Sequence, residues 1–438
     1  MLERVAVIGA GLAGCEAAWQ LARRGIPVDL YEMRPHKMPP AHHSAGFAEL
    51  VCSNSLRADR LENGVGLLKE EMRRLHSVIM QAADAHRVPA GGALAVNRDG
   101  FSQAVTSAVC SHPLITFHNE ECTTLPQGYV IVATGPLTEC AMAEAVAHYT
   151  GTLHFFDAAA PIITAESLNM NRVFSASRYG RGEDEAGDYL NCPMNKDEYE
   201  AFWQALVEAE RAPLQDFENK RVFEGCMPVE VLAARGIKAL CFGPMKPVGL
   251  TDPHTDRRPY AVLQLRKENR EGTLYNMVGC QTNLRQGEQR RVFGMIPGLE
   301  NAAFARYGVM HRNTYMRAGT LRADFRLIKE SRIAFAGQIT GVEGYVESAG
   351  SGLVAGVSMA LELLGKVMPD LTPYTALGAL GNYVAHGSLT AFQPSNIHFG
   401  LMPPLAEKVK DKAERNRRIS QRALEMLAQM TAALEGNT

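Results

Sequence analysis

The chain has 438 residues, which at roughly 150 per domain allows two or three domains and a sizeable core. Hydrophobic residues make up 46% and charged residues 21%, ordinary globular values that exclude a disordered or fibrous chain. Lys and Arg number 45 against 47 Asp and Glu, a net charge of -2. No global basic field therefore draws the protein to nucleic acid or anionic membrane, and any polyanion site must be a local patch.

The N-terminus, MLERVAVIGAG, enters a strand pattern at once, without a basic leader, apolar stretch and cleavage site. The longest apolar runs, such as residues 129–133 (YVIVA), fall far short of the roughly 20 residues of a membrane span, and a cytoplasmic address is expected. Residues 4–8 read as a strand, 12–24 as a helix stopped by Gly25, and Val28–Tyr31 as a second strand, together a βαβ unit. Between the strands lies a complete GxGxxG, Gly9-Ala10-Gly11-Leu12-Ala13-Gly14. Gly9 permits the tight turn, Gly11 lets a pyrophosphate approach the backbone, Gly14 lets helix and strand pack, and the helix N-terminus faces the phosphates. Glu32 ends the second strand at the spacing of a ribose-binding acid, so FAD or NAD fits better than NADP, an exclusion that Arg34 weakens slightly.

Two later segments favour FAD. Residues 129–135 (YVIVATG) end on Gly135, and residues 333–337 (IAFAG) end on Gly337, followed by Gly341, Gly344 and a small-residue helix over 348–361. Such a helix start brings backbone amides against a phosphate or a ring edge. These segments predict an α/β fold: a Rossmann-like, glutathione-reductase-like FAD-binding domain with a parallel sheet. Between 151 and 321 the character changes, with frequent Pro and Gly, strand-like runs at 261–265 and 275–280, and an amphipathic helix over 196–211. This predicts an inserted α+β substrate domain, with 1–150 and 322–438 forming one discontinuous FAD-binding domain. The last segment, 407–434, is helical in period and carries seven basic against three acidic residues between Glu407 and Arg422.

Nine cysteines form an odd set with no CxxC and no paired zinc spacing, so free thiols and no metal site are expected. Cys52, in ELVCSNSLR, has small polar neighbours and Arg57 nearby, a context that could stabilise a thiolate; an ordinary core position is the competing reading. Cys226, in FEGCMPVE, stands at a break in regular structure that could expose a thiol, and the bland reading stands level with it. Cys15 reads as structural, Cys110, Cys122, Cys140, Cys241 and Cys280 offer no distinctive chemistry, and Cys192 is undecided. In YGVMHRNTY the His311 imidazole could stack on a flat heterocycle and Arg312 could pair with a carboxylate or phosphate; a structural role is equally open. Lys246, in GPMKPVGL, sits in a rigid loop suited to an anion or to a simple turn.

Taken together, VAVIGAGLAGCEAAWQLARRGIPVDLYEMRP, FAELVCSNSLR, CFGPMKPVGL, GMIPGLENAAFARYGVMHRNTY and GQITGVEGYVESAGSGLVAG resemble the TrmFO family, the folate- and FAD-dependent tRNA (uracil-5-)-methyltransferases, along nearly the whole length. The resemblance implies methylation at C5 of the tRNA T-loop uridine. The carbon would come from 5,10-methylenetetrahydrofolate and the electrons from NADH or NADPH through FAD. A methylene carbon needs two further electrons to become methyl, which a reduced flavin supplies, and thiolate addition at C6 makes C5 nucleophilic. By motif, Cys226 matches the cysteine that attacks C6, Cys52 a second functional cysteine near the flavin, and His311 the residue holding the pterin against the flavin ring. No membrane and no obligate protein partner are implied. The C-terminal basic helix and the Lys246 loop are the expected contacts with tRNA. The alternatives are a generic FAD-dependent NAD(P)H oxidoreductase, which the glycine motifs alone allow, and a wobble-uridine tRNA-modifying flavoprotein, which carries a longer C-terminal helical region.

Overall fold

The structure, a computed structural model, describes residues 3–39, 41–136, 138, 140–150, 152–158, 160–180, 187–212, 227–269, 272–308, 310–316, 319–387, 392 and 394–435. Its centre is a five-stranded parallel sheet in the order Ile333–Phe335, Tyr129–Val132, Val5–Ile8 (β1), Val28–Tyr31 (β2), Ile115–His118. All four side chains of β1 are buried, which is why it reads as a continuous apolar run rather than an alternating one. β1 thus lies between the next strand of the chain, β2, and the distant strand Tyr129–Val132, leaving a crevice at its carboxyl end.

Helix α1, Leu12–Arg23, covers this sheet and lies against the glycine-rich helix Tyr345–Leu363. The approach is backbone to backbone: a Cβ on Gly352 would fall 2.1 Å from the Ala13 carbonyl oxygen, and one on Gly356 2.7 Å from that of Ala17. The late helix begins at Tyr345 instead of 348, because Gly344 at φ 110° turns the chain where an L side chain would be strained.

A six-stranded sheet, with the strands Phe174–Ser175, Tyr189–Met194, Ala261–Lys267, Leu274–Met277, Ile162–Thr164 and Phe304–Arg306 in spatial order, is antiparallel throughout. It has its own core, where Tyr199 and Phe202 of the helix Lys196–Glu208 meet Phe293 and the inner face of the sheet. That helix opens with a reciprocal cap between Asn195 and Glu198 and stops at Glu208, three residues before the expected end. The middle strand runs past 265 to Lys267, which carries Arg266 and Glu268 up to the first sheet's unit. Thr152–Ala158 and Met310–Met316 pair as an antiparallel ribbon where the chain passes between the two cores.

Residues 41–128 lie between the glycine-turn unit and the strand Tyr129–Val132. They form the helices Gly64–Arg74, Val78–Ala85 and Arg98–Cys110, and a small sheet of Ser55–Ala58, Ala93–Val96 and Arg87–Val88. The C-terminal helix spans Lys412–Glu435, starting later than 407, and its Ile419, Ala423, Leu424 and Leu427 are buried. Among the described residues no helix is long and apolar enough to cross a membrane.

Candidate active site

The glycine turn forms one wall of an open cavity of about 1400 Å³, open solvent included. Gly9 holds φ 102° and a Cβ there would fall 2.5 Å from the Ala133 carbonyl oxygen, while one on Gly14 would fall 1.8 Å from the Gly9 carbonyl oxygen. Turn and helix therefore need glycine at both positions. Among the described residues, a Cβ at Gly11 would meet no atom within 4 Å, and no side chain caps the start of α1. Free amides and open space over Gly11 fit a pyrophosphate. Of the expected cofactor contacts, Gly9, Gly11, Leu12, Ala13, Glu32, Gly135 and Gly337 line the cavity. Ala10 is buried behind the turn, where its amide donates to Glu32, and Gly14 packs against Gly9. Gly341 lies under the Phe392 ring, and Gly344 beside Glu347 and Arg57.

Glu32 is 7% exposed and more heavily engaged than the motif foretells. It accepts from the Ala10 amide at 2.9 Å and from Arg34 through its amide, Nε and Nη2 at 3.1, 3.0 and 3.1 Å. Burial pushes its carboxyl up, but the bonds and charge of Arg34 outweigh this and leave it below the usual range. Arg34, also bridged to Glu49 at 3.3 Å, is thereby tied to carboxylates rather than presented to a 2′-phosphate. A ribose hydroxyl would share Glu32 with these donors. His42, on the same wall, has a buried Nδ1 without a hydrogen-bond partner among the described residues. Burial, with the Arg34 charge second, pushes this imidazole down to about 4. It is neutral at pH 7, and its orphaned nitrogen suits a polar group of a bound dinucleotide.

Cys52 sits where the two cores meet. It precedes the strand Ser55–Ala58, and its half-buried Sγ lies 2.8 Å from the hydroxyl of Tyr345, a cavity-lining residue. That hydroxyl oxygen already accepts the amides of Cys52 at 2.7 Å and Ser53 at 3.3 Å. With both lone pairs engaged, its own proton is the one directed at sulfur, a donation that favours the thiolate. Burial, and next the Cys52 charge, push the Tyr345 phenol well above its ordinary value, so it stays a donor. The loop is pinned from the second sheet: Arg266 Nε reaches Asn54 Oδ1 at 2.9 Å and its Nη2 reaches Ser53 Oγ at 2.7 Å, while Asn54 donates to the Lys267 carbonyl at 2.8 Å. From the first unit, Arg98 bonds the Leu50 carbonyl and Glu268, both at 2.6 Å. The sequence offered Arg57 as the local cation, but Arg57 is directed to the fully buried Glu347.

His311 lies on the strand Met310–Met316, its Cα opposite Asp157, and this strand packs on the turn Gln338–Thr340 beside the cavity. The side chains of His311 and Arg312 lie outside the described residues, as does Cys226. Just after it, the Val229 amide bonds the Gln281 carbonyl at 2.7 Å. Cys15, Cys192 and Cys280 are buried, and burial pushes all three thiols up, as inert core positions require. Cys122, expected to be featureless, lines the cavity and donates to the Thr124 carbonyl at 3.2 Å. Sequence reasoning also passed over Tyr345, although an aromatic residue directly after a helix-start glycine is a visible signal. Among the described residues no group of three or more His, Cys, Asp or Glu could hold a metal ion.

A parallel sheet with a glycine turn, open amides at α1 and a cavity completed from residues 133–138 and 337–348 defines a dinucleotide-binding flavoprotein fold. The model of the family described as Glucose inhibited division protein A matches residues 4–367. A relative from Desulforamulus reducens, named methylenetetrahydrofolate--tRNA-(uracil-5-)-methyltransferase TrmFO, is 61% identical over 429 residues, 97% of each chain. Proteins of the same name from Acetivibrio thermocellus and Listeria monocytogenes are 58% and 56% identical, covering 98% and 99% of this chain and 98% and 100% of their own. The chain belongs to the TrmFO family. The solved structure of Aquifex aeolicus GidA shares the fold, with a TM-score of 0.69 over 98% of this chain and 73% of that one at 14% identity.

Proposed function

We propose that the protein is a folate- and FAD-dependent tRNA methyltransferase that forms 5-methyluridine at the T-loop uridine, with 5,10-methylenetetrahydrofolate as carbon donor and NADH or NADPH as reductant. Its relatives' name supports the reaction, and the cytoplasm, where these substrates meet, is its place of work. The bound flavin supplies the two electrons that turn a methylene carbon into methyl. The glycine turn and the amides of α1 hold the pyrophosphate. Cys226 adds to C6 of uracil and raises electron density at C5. Tyr345 polarises the Cys52 sulfur beside the cavity wall, so that Cys52 takes up a proton as thiolate and delivers one as thiol, and His311 stacks on the pterin. The two separate cores support a division into a FAD-binding domain of 1–150 with 322–438 and an inserted substrate domain of 151–321.

The observation that carries the reading is the contact of Cys52 with Tyr345, which joins a polarised thiol to the wall of the dinucleotide cavity. Purified protein with NADPH, methylenetetrahydrofolate and unmodified tRNA is expected to yield ribothymidine. Cys226→Ala and Cys52→Ala should each retain the flavin spectrum and lose turnover by roughly 100-fold or more. Flavin-loaded protein that makes no ribothymidine sinks the reading, and a variant with wild-type turnover removes that cysteine from the chemistry.

A further inference from the structure

Three guanidinium groups from separate segments gather around Glu268, and two have partners: Arg98 on Glu268, and Arg266 on Asn54 and Ser53. Arg306 differs. It ends the edge strand Phe304–Arg306, is half-buried, and bonds the Ala41 carbonyl through Nη2 at 3.2 Å. Among the described residues no carboxylate pairs with it. Glu49 acts on it from nearby, but that carboxylate already receives Arg34, the Ser44 hydroxyl and the amides of His43 and Ser44. Burial lowers the Arg306 pKa and the like charge of Arg98 lowers it further, so the surroundings oppose the cation they hold. A planar fork with most of its donors unused, beside a second cation, is suited to a planar oxyanion.

We propose that Arg306, with Arg98 behind it, is the anion-binding group of this site and receives a planar oxyanion of a bound ligand. The assignment rests on the methyltransferase reading, whose ligands offer two such groups. One is the glutamyl carboxylate of the folate. The other is O4 of uracil: when a thiolate adds, the C6–S bond forms and the C5–C6 π pair moves through C4 onto that oxygen.

The test compares flavin-loaded wild type with Arg306→Gln, whose amide can still donate to the Ala41 carbonyl, and Arg306→Lys, which keeps the charge without the fork. One arm measures binding of tetrahydrofolate and of pteroate, which lacks the glutamyl group. The other measures covalent trapping of tRNA carrying 5-fluorouridine. A loss of roughly 10- to 100-fold in tetrahydrofolate binding with pteroate unchanged assigns the carboxylate; the same loss in trapping with folate binding intact assigns O4. Arg306→Lys should lie between, and it carries the same readouts if Arg306→Gln fails to hold flavin. Wild-type binding and trapping in the folded variants overturn the proposal. Wild-type protein that neither binds folate nor traps tRNA overturns the methyltransferase reading instead.

Discussion

The arginines at the junction of the two cores and those of the C-terminal helix carry the same formal charge in opposite surroundings. At the junction, Glu268 acts on Arg98, Arg266 and Arg306 alike, and the Cys52 thiol acts on the first two. On the exposed helix, Arg417 and Arg418 both pair with Glu414, at 2.7 and 2.8 Å, and Arg417 also reaches Glu62 at 3.4 Å. Arg422 stacks 4.6 Å over the Tyr374 ring and bonds the Pro404 carbonyl at 2.9 Å. Seven basic residues in a sequence are therefore not seven available charges. What a cation can do depends on which carboxylate, ring or carbonyl already holds it.

The largest effect that would sharpen this contrast comes from Tyr345→Phe, which removes the hydroxyl donated to Cys52. Alkylation of Cys52 should shift to higher pH and slow by roughly 10-fold at neutral pH, with a similar fall in turnover. An unshifted alkylation profile would mean that the surrounding arginines suffice by themselves.

A second prediction concerns buried carboxyls without a bonded cation. Glu71 accepts the amides of Ala376 and Leu377 at 2.7 and 2.9 Å, and burial raises it to about 8. Glu16, bonded to Ser77 and Gln20, is raised by burial to about 7. Raised acids bind protons in the folded chain that the unfolded chain has released. Their contribution is present below the ordinary carboxyl range near 4.5 and is lost as pH rises towards 8. Denaturant midpoints of Glu71→Gln should thus fall less steeply over that window than those of wild type. Parallel slopes would show that the helix-end amides keep Glu71 ionised.

The smallest effect is expected at the tail. Reversing Arg417 and Arg418 to Glu should lower the salt slope of tRNA binding by less than about one unit, since both are already paired; a fall of about two would restore the helix as a phosphate surface. Arg415, exposed and without a carboxylate partner among the described residues, is the better candidate there.

Local signals were legible where chemistry depends on backbone. Gly9 and Gly14 sit where their spacing required, because tight turns and close helix packing exclude Cβ atoms in any fold that uses them, and Gly11 leaves the space open that a bound group would fill. The strands 129–132 and 333–335 were legible because burial on both faces leaves an unbroken apolar run. The helices between 64 and 110 were not, since Gly64, Gly66 and Gly100 interrupt their pattern for packing reasons: a Cβ on Gly66 would fall 2.0 Å from the Arg60 carbonyl oxygen.

The sequence by itself determined the family, the dinucleotide turn and the motif in which Cys52 lies, because each is a short run of residues with a fixed steric or chemical demand. Tertiary structure alone decided that Tyr345, 293 positions away, donates to that sulfur, that Arg57 does not serve it, and that Arg34 holds Glu32. Hydrogen bonds act over about 3 Å, and which groups come within that reach is settled by how two cores pack.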